Sequence, residues 1–286
     1  MVATRTRTRT GTRTRSARDD ARLRLALLLD PVGAMFAAAG QSADEWQREI
    51  TDGADDTVVV TARQSGKSSC AAALAAAQLA TVPGTRVLMI APAQRQSILL
   101  MDKIKGYLAA VPHPEPETWS KTELAFENGS ACWAVPATSS TIRGFDKISL
   151  LIVDEAAWVP ESVFNACLPM LQHANNGAGG RTVALSTPGP PDGWYYRAVQ
   201  QPAEQGYRLV SVPATRVPRI RPEFLEKARS RMPGPVFRTE YMCRFEVSAG
   251  ALFNQLQLAN APVQLTRESS LPTPQEWLEL QRAGLT

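Results

Sequence analysis

Residues 57–69 read TVVVTARQSGKSS, and this stretch decides the expected fold. The valine-rich run 57–60 indicates a short buried strand, and the alanine-rich run 68–80 that follows is typical of a helix. Gly66 and Lys67 lie at the junction, directly before the helix. A buried strand that passes through a tight turn into a helix predicts the first unit of an α/β fold.

The junction itself has the chemistry of a triphosphate site. Backbone N–H groups of the loop and of the helix start would cradle phosphates, and Lys67 would neutralise the β and γ oxygens. The Ser68 hydroxyl would ligate Mg²⁺. Thr61 stands where the full phosphate-loop pattern has its first glycine, so we expect the loop to turn without the freedom that a glycine gives.

A second segment, LLIVDE at 150–155, is an apolar strand that ends in two adjacent carboxylates. Buried carboxylates at the carboxyl end of a strand need partners. Beside a bound triphosphate, Asp154 would hold the magnesium ion and Glu155 would orient and deprotonate the attacking water. The alternative is a strand that ends by chance in an acidic turn.

The remaining apolar runs alternate between strands and helices, which indicates a parallel sheet with helices on both faces. Further strands are predicted at 86–91, 148–153 and 182–185, and further helices at 23–40 with a break at Pro31, 42–50, 94–110 and 161–174.

Residues 122–135 interrupt this alternation. The runs TELAFE and SACWAV flank Asn128 and Gly129, the strongest short-range hairpin signal. The predicted fold is therefore α/β and of the P-loop NTPase class. It has a central, mostly parallel sheet flanked by helices, an antiparallel hairpin insertion and a small C-terminal subdomain.

Composition divides the chain into parts of different character. Eight arginines and two aspartates give residues 1–24 a net charge of +6, so the remainder of the chain, whose total is +4, carries about −2. This arm is expected to be disordered, and it is either a holder of phosphate backbones or a solvated tail. The predicted parts are the arm 1–24, the ATPase core 25–192, an accessory subdomain 193–250 with helices at 222–232 and 236–243, and a tail 251–286.

Several classes of protein are excluded by composition. The four cysteines lie far apart and the only histidines are His113 and His173, so a zinc site is not expected. Asp30 interrupts the apolar stretch that follows the basic start, which argues against a signal peptide and for reduced, buried cysteines in a cytosol. The uncharged, alanine-rich run 68–85 carries Gln78, Pro83 and Gly84 and is too polar to span a membrane.

Five short segments, in order over residues 25–253, resemble the motifs of one family. They are Asp44-Glu45-Trp46-Gln47, Arg63-Gln64-Ser65-Gly66-Lys67-Ser68, Thr141-Ile142-Arg143-Gly144, Asp154-Glu155-Ala156-Ala157 and Leu185-Ser186-Thr187-Pro188. The family is the large terminase subunit of tailed bacteriophages, the ATPase that packages DNA into proheads.

The resemblance implies roles for individual residues. Gln47 would read the adenine edge. Arg63 would contact the γ-phosphate in cis and Arg143 would reach a neighbouring subunit's nucleotide, or either forms a structural ion pair. Ser186 and Thr187 would sense the γ-phosphate, or else cap a turn. With the phosphate loop, the expected nucleotide-binding set is Gln47, Arg63, Gln64, Ser65, Gly66, Lys67, Ser68 and Ser69.

Two aromatic residues are candidates for the base itself. Trp46 and Phe36 would stack on the adenine or, as is more common near an N-terminal helix, pack in the core.

The resemblance implies an ATP-hydrolysing motor subunit that uses ATP and Mg²⁺ and translocates double-stranded DNA. It implies a homo-oligomeric ring, portal and small terminase partners, and the bacterial host cytoplasm. Two alternatives stay open, namely a nucleotide-binding docking module without turnover and a helicase-like ATPase of the same P-loop class.

The C-terminal part departs from the family's pattern. Full-length large terminases carry a nuclease domain whose metals are held by several aspartates, whereas the last aspartate here is Asp192. The only acidic residues after Glu246 are Glu268, Glu276 and Glu279. Two-metal cleavage needs a tight carboxylate cluster. We therefore expect no nuclease activity in this chain, and either a separate nuclease or a truncated gene.

Overall fold

The computed structural model describes residues 16–51, 55–138, 142 and 144–246, all within one compact unit that ends at Glu246. Within these residues a sheet lies between two layers of helices. The strands are β1 (Thr57–Thr61), β2 (Arg86–Ala91), β3 (Pro116–Trp119), β4 (Glu123–Phe126), β5 (Ala131–Pro136), β6 (Leu150–Asp154), β7 (Arg181–Ser186) and β8 (Arg208–Val212). The helices are α1 (Ala17–Leu29), α2 (Pro31–Ala38), α3 (Glu45–Glu49), α4 (Lys67–Thr81), α5 (Gln94–Leu108), α6 (Glu161–Leu171), α7 (Gly193–Gln200), α8 (Pro222–Arg231) and α9 (Gly234–Met242).

The eight strands follow the order β3-β4-β5-β2-β6-β7-β1-β8. The strands from β5 to β8 in that order pair in parallel, while β3, β4 and β5 pair antiparallel. The β4–β5 hairpin turns at Gly129, whose φ of 78° favours glycine. The predicted α/β fold, with its mostly parallel sheet and antiparallel insertion, is confirmed. The edge strand β3 was not predicted, because its sequence PETW is polar and largely exposed.

Alternate residues of the central strands face opposite sides of the sheet, as the twofold period of a strand requires. Val59 packs in the core under α1, α2, α4 and α5, whereas Val58 and Val60 pack in the core under α6 and α7. All five residues of β1 are buried, since helices cover both faces. The alanines of α4 are almost all buried, so this helix lies close to its neighbours α2 and α5.

The N-terminal boundary differs from the prediction. Helix α1 begins at Ala17, inside the stretch 1–24 that was expected to be disordered. The Ser16 hydroxyl oxygen accepts a hydrogen bond from the Asp19 backbone N–H at 3.2 Å. The negative charges of Asp19 and Asp20 in the first turn also interact favourably with the positive end of the helix dipole, which stabilises the helix start. The break predicted at Pro31 separates α1 from α2, and residues 1–15 lie outside the described residues.

The prediction of an accessory subdomain at 193–250 is wrong for the first half of that range, which belongs to the main sheet and its helices. Strand β8 pairs in parallel with β1, with Val59 opposite Val210, so it belongs to the main sheet. Helix α7 packs on the same sheet. Only α8 and α9 form a small cluster of their own, which includes Ala62 from the loop after β1. The predicted tail 251–286 lies outside the described residues.

The four cysteines are free thiols, and three of them are buried. Burial raises the pKa of Cys167 to about 11 and that of Cys243 to about 12. The described part of the chain contains no cluster of three or more histidine, cysteine or acidic residues that could hold a metal ion. No helix among the described residues is long and apolar enough to cross a membrane.

Candidate active site

The loop between β1 and α4 turns through two left-handed backbone conformations. Gln64 has a φ of 59° and Gly66 a φ of 98°. Lys67 is then the first residue of α4, which is 15 residues long. The first N–H groups of a helix have no acceptor within it and carry the positive end of its dipole. This loop and helix start are therefore suited to bind phosphate groups.

Thr61 was expected to lie at a turn that lacks a glycine. It is instead the last residue of β1, buried and in register with Val212 of β8. The positive φ angles come later in the loop, at Gln64 and Gly66. Residue 61 has an extended backbone that any amino acid adopts, so this departure from the usual pattern does not disturb the loop.

The acidic end of β6 meets the start of α4. The Lys67 Nζ donates to Glu155 Oε1 at 2.7 Å, and the Ser68 hydroxyl donates to Asp154 Oδ2 at 2.8 Å. Glu155 has a φ of 52°, a strained conformation of the kind that occurs at active sites. Two pairs of adjacent residues that lie far apart in the sequence therefore converge at one point.

The strand order explains the place of Ser186. Strand β7 lies between β1 and β6, and it ends at Ser186 beside the loop and the two carboxylates. The buried Ser186 hydroxyl faces Glu155 Oε2 at 3.5 Å, a long contact. Thr187 follows directly after the end of the strand. Ser186 therefore lies within reach of the carboxylate that faces Lys67.

The carboxylate of Asp154 is poorly solvated. Burial raises the pKa of Asp154, while the Lys67 charge and the Ser68 hydrogen bond oppose this shift. Its second oxygen, Oδ1, is buried and has no hydrogen-bond partner among the described residues. An unpaired oxygen beside a serine hydroxyl matches the hard oxygen ligands that Mg²⁺ prefers. Ser68 and Asp154 therefore fit the magnesium site predicted for them.

A second lysine stands near the same point and was not predicted. Lys103 on α5 places Nζ 3.4 Å from the Ser69 hydroxyl oxygen. Burial lowers the pKa of Lys103, the Asp154 charge opposes this, and the Lys67 charge adds to it. Lys103 lies in an amphipathic helix two positions before Lys105, and no motif distinguishes it from an ordinary surface lysine.

Gln47 lines a cleft beside the phosphate loop, together with Phe36, Asp44 and Gly66. It is fully buried, its Oε1 accepts from the Asp44 backbone N–H at 2.9 Å, and its Nε2 lies 3.4 Å from the Gly66 carbonyl oxygen. The amide thus ties α3 to the phosphate loop, and its predicted role in reading the adenine stays a prediction.

The two aromatic candidates for stacking both pack in the core. Trp46 is 1% exposed and donates its Nε1–H to Asp44 Oδ2 at 3.1 Å. Phe36 is buried with its ring 5.6 Å from that of Tyr107, although one side of it reaches the cleft. Packing is thus the role that the structure gives them.

Of the two predicted arginine fingers, Arg63 lies within the described residues. The exposed guanidinium of Arg63 pairs with Glu240 on α9 at 3.2 Å. The Arg63 backbone N–H also donates to the Glu240 carbonyl oxygen at 2.8 Å. This contact with the C-terminal helices was not predicted. Arg143 lies outside the described residues.

Comparison with known sequences identifies the family. Residues 58–260, more than half of the chain, match the family described as terminase large subunit, T4likevirus-type, N-terminal. The chain belongs to this family. None of the curated protein sequences matches this terminase chain.

Solved structures show the same fold. The Thermus phage P74-26 large terminase ATPase domain is 22% identical with a TM-score of 0.63, and the match covers 76% of this terminase chain and 99% of that domain. The HK97 bacteriophage large terminase is 17% identical with a TM-score of 0.58, over 75% of this chain and 55% of that one. A large terminase from a thermophilic bacteriophage, solved in complex with ATP-gamma-S, is 11% identical with a TM-score of 0.54, over 72% and 53%. This terminase chain thus spans about half the length of the latter two proteins.

Proposed function

We propose that this terminase chain is an ATP-hydrolysing motor subunit that translocates double-stranded DNA into proheads. The main support for ATP hydrolysis is that Lys67 contacts Glu155 at 2.7 Å and Ser68 contacts Asp154 at 2.8 Å. A lysine, a hydroxyl and two carboxylates beside a helix N-terminus are the groups that phosphoryl transfer from a nucleoside triphosphate requires. Membership of the terminase large subunit family supports the packaging role.

Each side chain around the proposed phosphate position has its own role. Lys67 and the backbone N–H groups from Gly66 onward hold the phosphates. Ser68 and Asp154 hold Mg²⁺, and the ion supplies charge stabilisation at the phosphates when it is bound. Asp154 Oδ1, which has no hydrogen-bond partner in the part of the chain that the structure describes, is the oxygen available for this task. Gln64, Ser65 and Ser69 complete the wall around the phosphates.

The hydrolytic step depends on Glu155. One of its oxygens pairs with Lys67 and the other faces Ser186. A triphosphate that binds Lys67 releases this carboxylate, which then orients the attacking water and accepts its proton. Ser186 and Thr187 respond to that rearrangement, because Ser186 faces the same carboxylate. This is the coupling role proposed for the end of β7.

Two arginines are proposed to stabilise transition-state charge. Arg63 acts in cis from within the loop, and Arg143 acts in trans at the site of the next subunit in a homo-oligomeric ring. Arginine fingers contribute about 10³ to 10⁵ in rate. Gln47, which lines the cleft beside the phosphate loop, is the proposed reader of the adenine.

The proposed partners follow from family membership. They are double-stranded DNA, a portal protein and a small terminase subunit, met in the cytoplasm of a bacterial host. We also propose that this chain itself has no nuclease activity.

The test is ATP turnover of the full chain with and without linear duplex DNA. We expect DNA-stimulated hydrolysis in the parent and a loss of at least about 100-fold in Glu155→Gln. Glu161→Gln is the matched control, because Glu161 pairs with Arg197 on the nearby surface and does not touch the site. Tight ATP binding without turnover in the parent would contradict the motor and favour a docking module.

A mixing experiment tests the ring. Arg143→Ala retains its own carboxylates, and Glu155→Gln retains the arginine that it would lend to a neighbour. If Arg143 acts in trans, mixing the two inactive variants restores part of the turnover. No recovery in mixtures that still assemble would show that Arg143 does not act in trans.

A further inference from the structure

Arg219 links two walls of the nucleotide cleft that are far apart in the sequence. It lies between β8 and α8, in the region that composition had assigned to an accessory subdomain. Its Nη1 donates to Asp44 Oδ1 at 2.7 Å, and its Nη2 donates to the Ser65 carbonyl oxygen at 2.6 Å. One guanidinium thus joins the start of α3 to the phosphate loop.

Gly66 is shaped to admit this contact. A Cβ atom on Gly66 would lie 3.0 Å from Arg219 Nη2 and 3.1 Å from Gln47 Nε2. The residue also has a φ of 98°, which disfavours any side chain. Gly66 therefore serves the close approach of Arg219 and Gln47 as well as the turn of the loop.

The guanidinium also faces open space. The Arg219 side chain is 48% exposed, whereas the Asp44 side chain that it contacts is only 9% exposed. A cleft of about 720 Å³ begins here, and its lining includes Phe36, Asp44, Gln47, Gly66, Ser69 and Arg219. It adjoins the start of α4, on the side of the loop where Gln47 lies. Arg219 thus lines the space next to the phosphate loop.

We infer that Arg219 is a positioning residue for the bound nucleotide, which holds the phosphate loop against α3 and sets nucleotide affinity rather than the rate of hydrolysis. This inference rests on the proposed function, because it takes the cleft as the nucleotide site. The contacts of Lys67 and Ser68 with the two carboxylates are made without Arg219. Loss of the guanidinium therefore loosens the cleft and leaves the hydrolytic groups in contact with one another.

The chain offers a matched control in the same loop. Arg216 donates through Nη2 to Glu49 Oε1 at 2.6 Å and through Nη1 to the Ser211 carbonyl oxygen at 2.8 Å. Its side chain is 40% exposed, similar to that of Arg219. Arg216 thus ties the loop to the far end of α3 without touching the phosphate loop. A purely structural role would make the two arginines equivalent.

The experiment compares Arg219→Gln, Arg219→Lys and Arg216→Gln in the full chain. Calorimetry with Mg²⁺ and a non-hydrolysable ATP analogue gives Kd, and steady-state ATP turnover gives kcat and KM. We expect Arg219→Gln to raise Kd and KM about tenfold and to change kcat by less than about twofold. Arg219→Lys should recover part of the affinity, and Arg216→Gln should leave Kd and KM unchanged. Melting temperatures of the two Gln variants should be similar.

The outcomes separate this inference from the proposed function. Equal Kd values for the parent and Arg219→Gln, or equal losses in Arg219→Gln and Arg216→Gln, would overturn the role of Arg219 and leave the motor intact. A loss of kcat at unchanged Kd would also overturn it. A parent that binds the analogue but does not hydrolyse ATP would refute the motor, while the Kd comparison would still decide the role of Arg219. A parent without nucleotide affinity would refute both.

Discussion

Lys67 and Glu155 form an ion pair, with Nζ 2.7 Å from Oε1, between two groups that the proposed reaction needs for different tasks. The lysine must bind phosphate oxygens, and the carboxylate must face a water molecule. Both side chains are mostly buried, at 11% and 24% exposure. An arriving triphosphate therefore competes with Glu155 for Lys67.

The first prediction follows from this competition. Glu155→Gln removes the charge that holds Lys67, so we expect the nucleotide to bind more tightly than in the parent, by up to about tenfold, although turnover is lost. Calorimetry with Mg²⁺ and a non-hydrolysable ATP analogue measures the affinity. Weaker binding in Glu155→Gln than in the Glu161→Gln control would show that the pair orders the site instead of competing with the ligand.

The second prediction concerns the stability of the protein without metal. Since burial raises the pKa of Asp154, the folded state binds that proton more tightly than the unfolded state does. The stability contributed by this proton is present at low pH and is lost as the pH rises through the raised pKa. Asp154→Asn should therefore increase the free energy of unfolding at pH 8 by about 1 kcal/mol or more. The gain should shrink as the pH falls from the raised pKa towards about pH 4, and it should be lost below about pH 4, where the carboxyl is protonated in both states.

Urea unfolding in the presence of EDTA, at pH 8 and at pH 4, measures this difference. A less stable Asp154→Asn protein at pH 8 would show that its partners more than offset the burial of the charge. Adding Mg²⁺ and ATP should stabilise the parent more than the variant, because only the parent retains the charged ligand.

The third prediction concerns Arg63. Glu240 holds its guanidinium in an exposed ion pair, and pairs of this kind contribute at most about 1 kcal/mol. Glu240→Gln should therefore raise turnover at low ATP by no more than about fivefold, because the arginine becomes free to reach the γ-phosphate. Glu246→Gln is the control, since Glu246 pairs with Arg238. Slower turnover in Glu240→Gln alone would mean that Glu240 orients the arginine.

The fourth prediction concerns Thr61. Because its backbone is extended within β1, Thr61→Gly gains nothing for the turn and should lower the free energy of unfolding by about 0.5–1 kcal/mol. ATP turnover should stay within about twofold of the parent. Gly66→Ala is the contrasting variant, since it places a Cβ against Arg219 and Gln47, and it should lose nucleotide affinity. Faster turnover in Thr61→Gly would show that the loop does need a glycine there.

The sequence predicted the strands of the fold that consist of continuous apolar residues. The strands at 57–60, 86–91 and 148–153 were identified because helices bury them on both faces, which leaves continuous apolar runs. Strands β3 and β8 were not predicted, because they lie at the sheet edges, where polar residues alternate with apolar ones or replace them. Strand β8 belongs to the sheet because it pairs with β1, and a local sequence pattern does not reveal a pairing between distant segments.

The candidate site divides in the same way. Lys67, Ser68, Asp154 and Glu155 were predicted because each lies at the end of a buried strand or the start of a helix, where short motifs have a fixed geometry. Lys103, Arg219 and Glu240 reach the site from elements that carry no such motif, and only their distances single them out. The start of α1 was likewise missed, because arginine content outweighed the capping signal of Ser16.

The link from the loop after β8 back to the start of α3 bears on how this protein can be divided. The cleft is bounded by Asp44 near the start of the chain and by Arg219, which contacts Asp44. Arg219 follows β8, so all strands of the described sheet precede it in the sequence. A fragment cut after β7 would keep Lys67, Asp154 and Glu155, yet the phosphate loop would lose its brace. During synthesis, the phosphate loop can therefore gain this brace only once the loop that follows the last strand has left the ribosome.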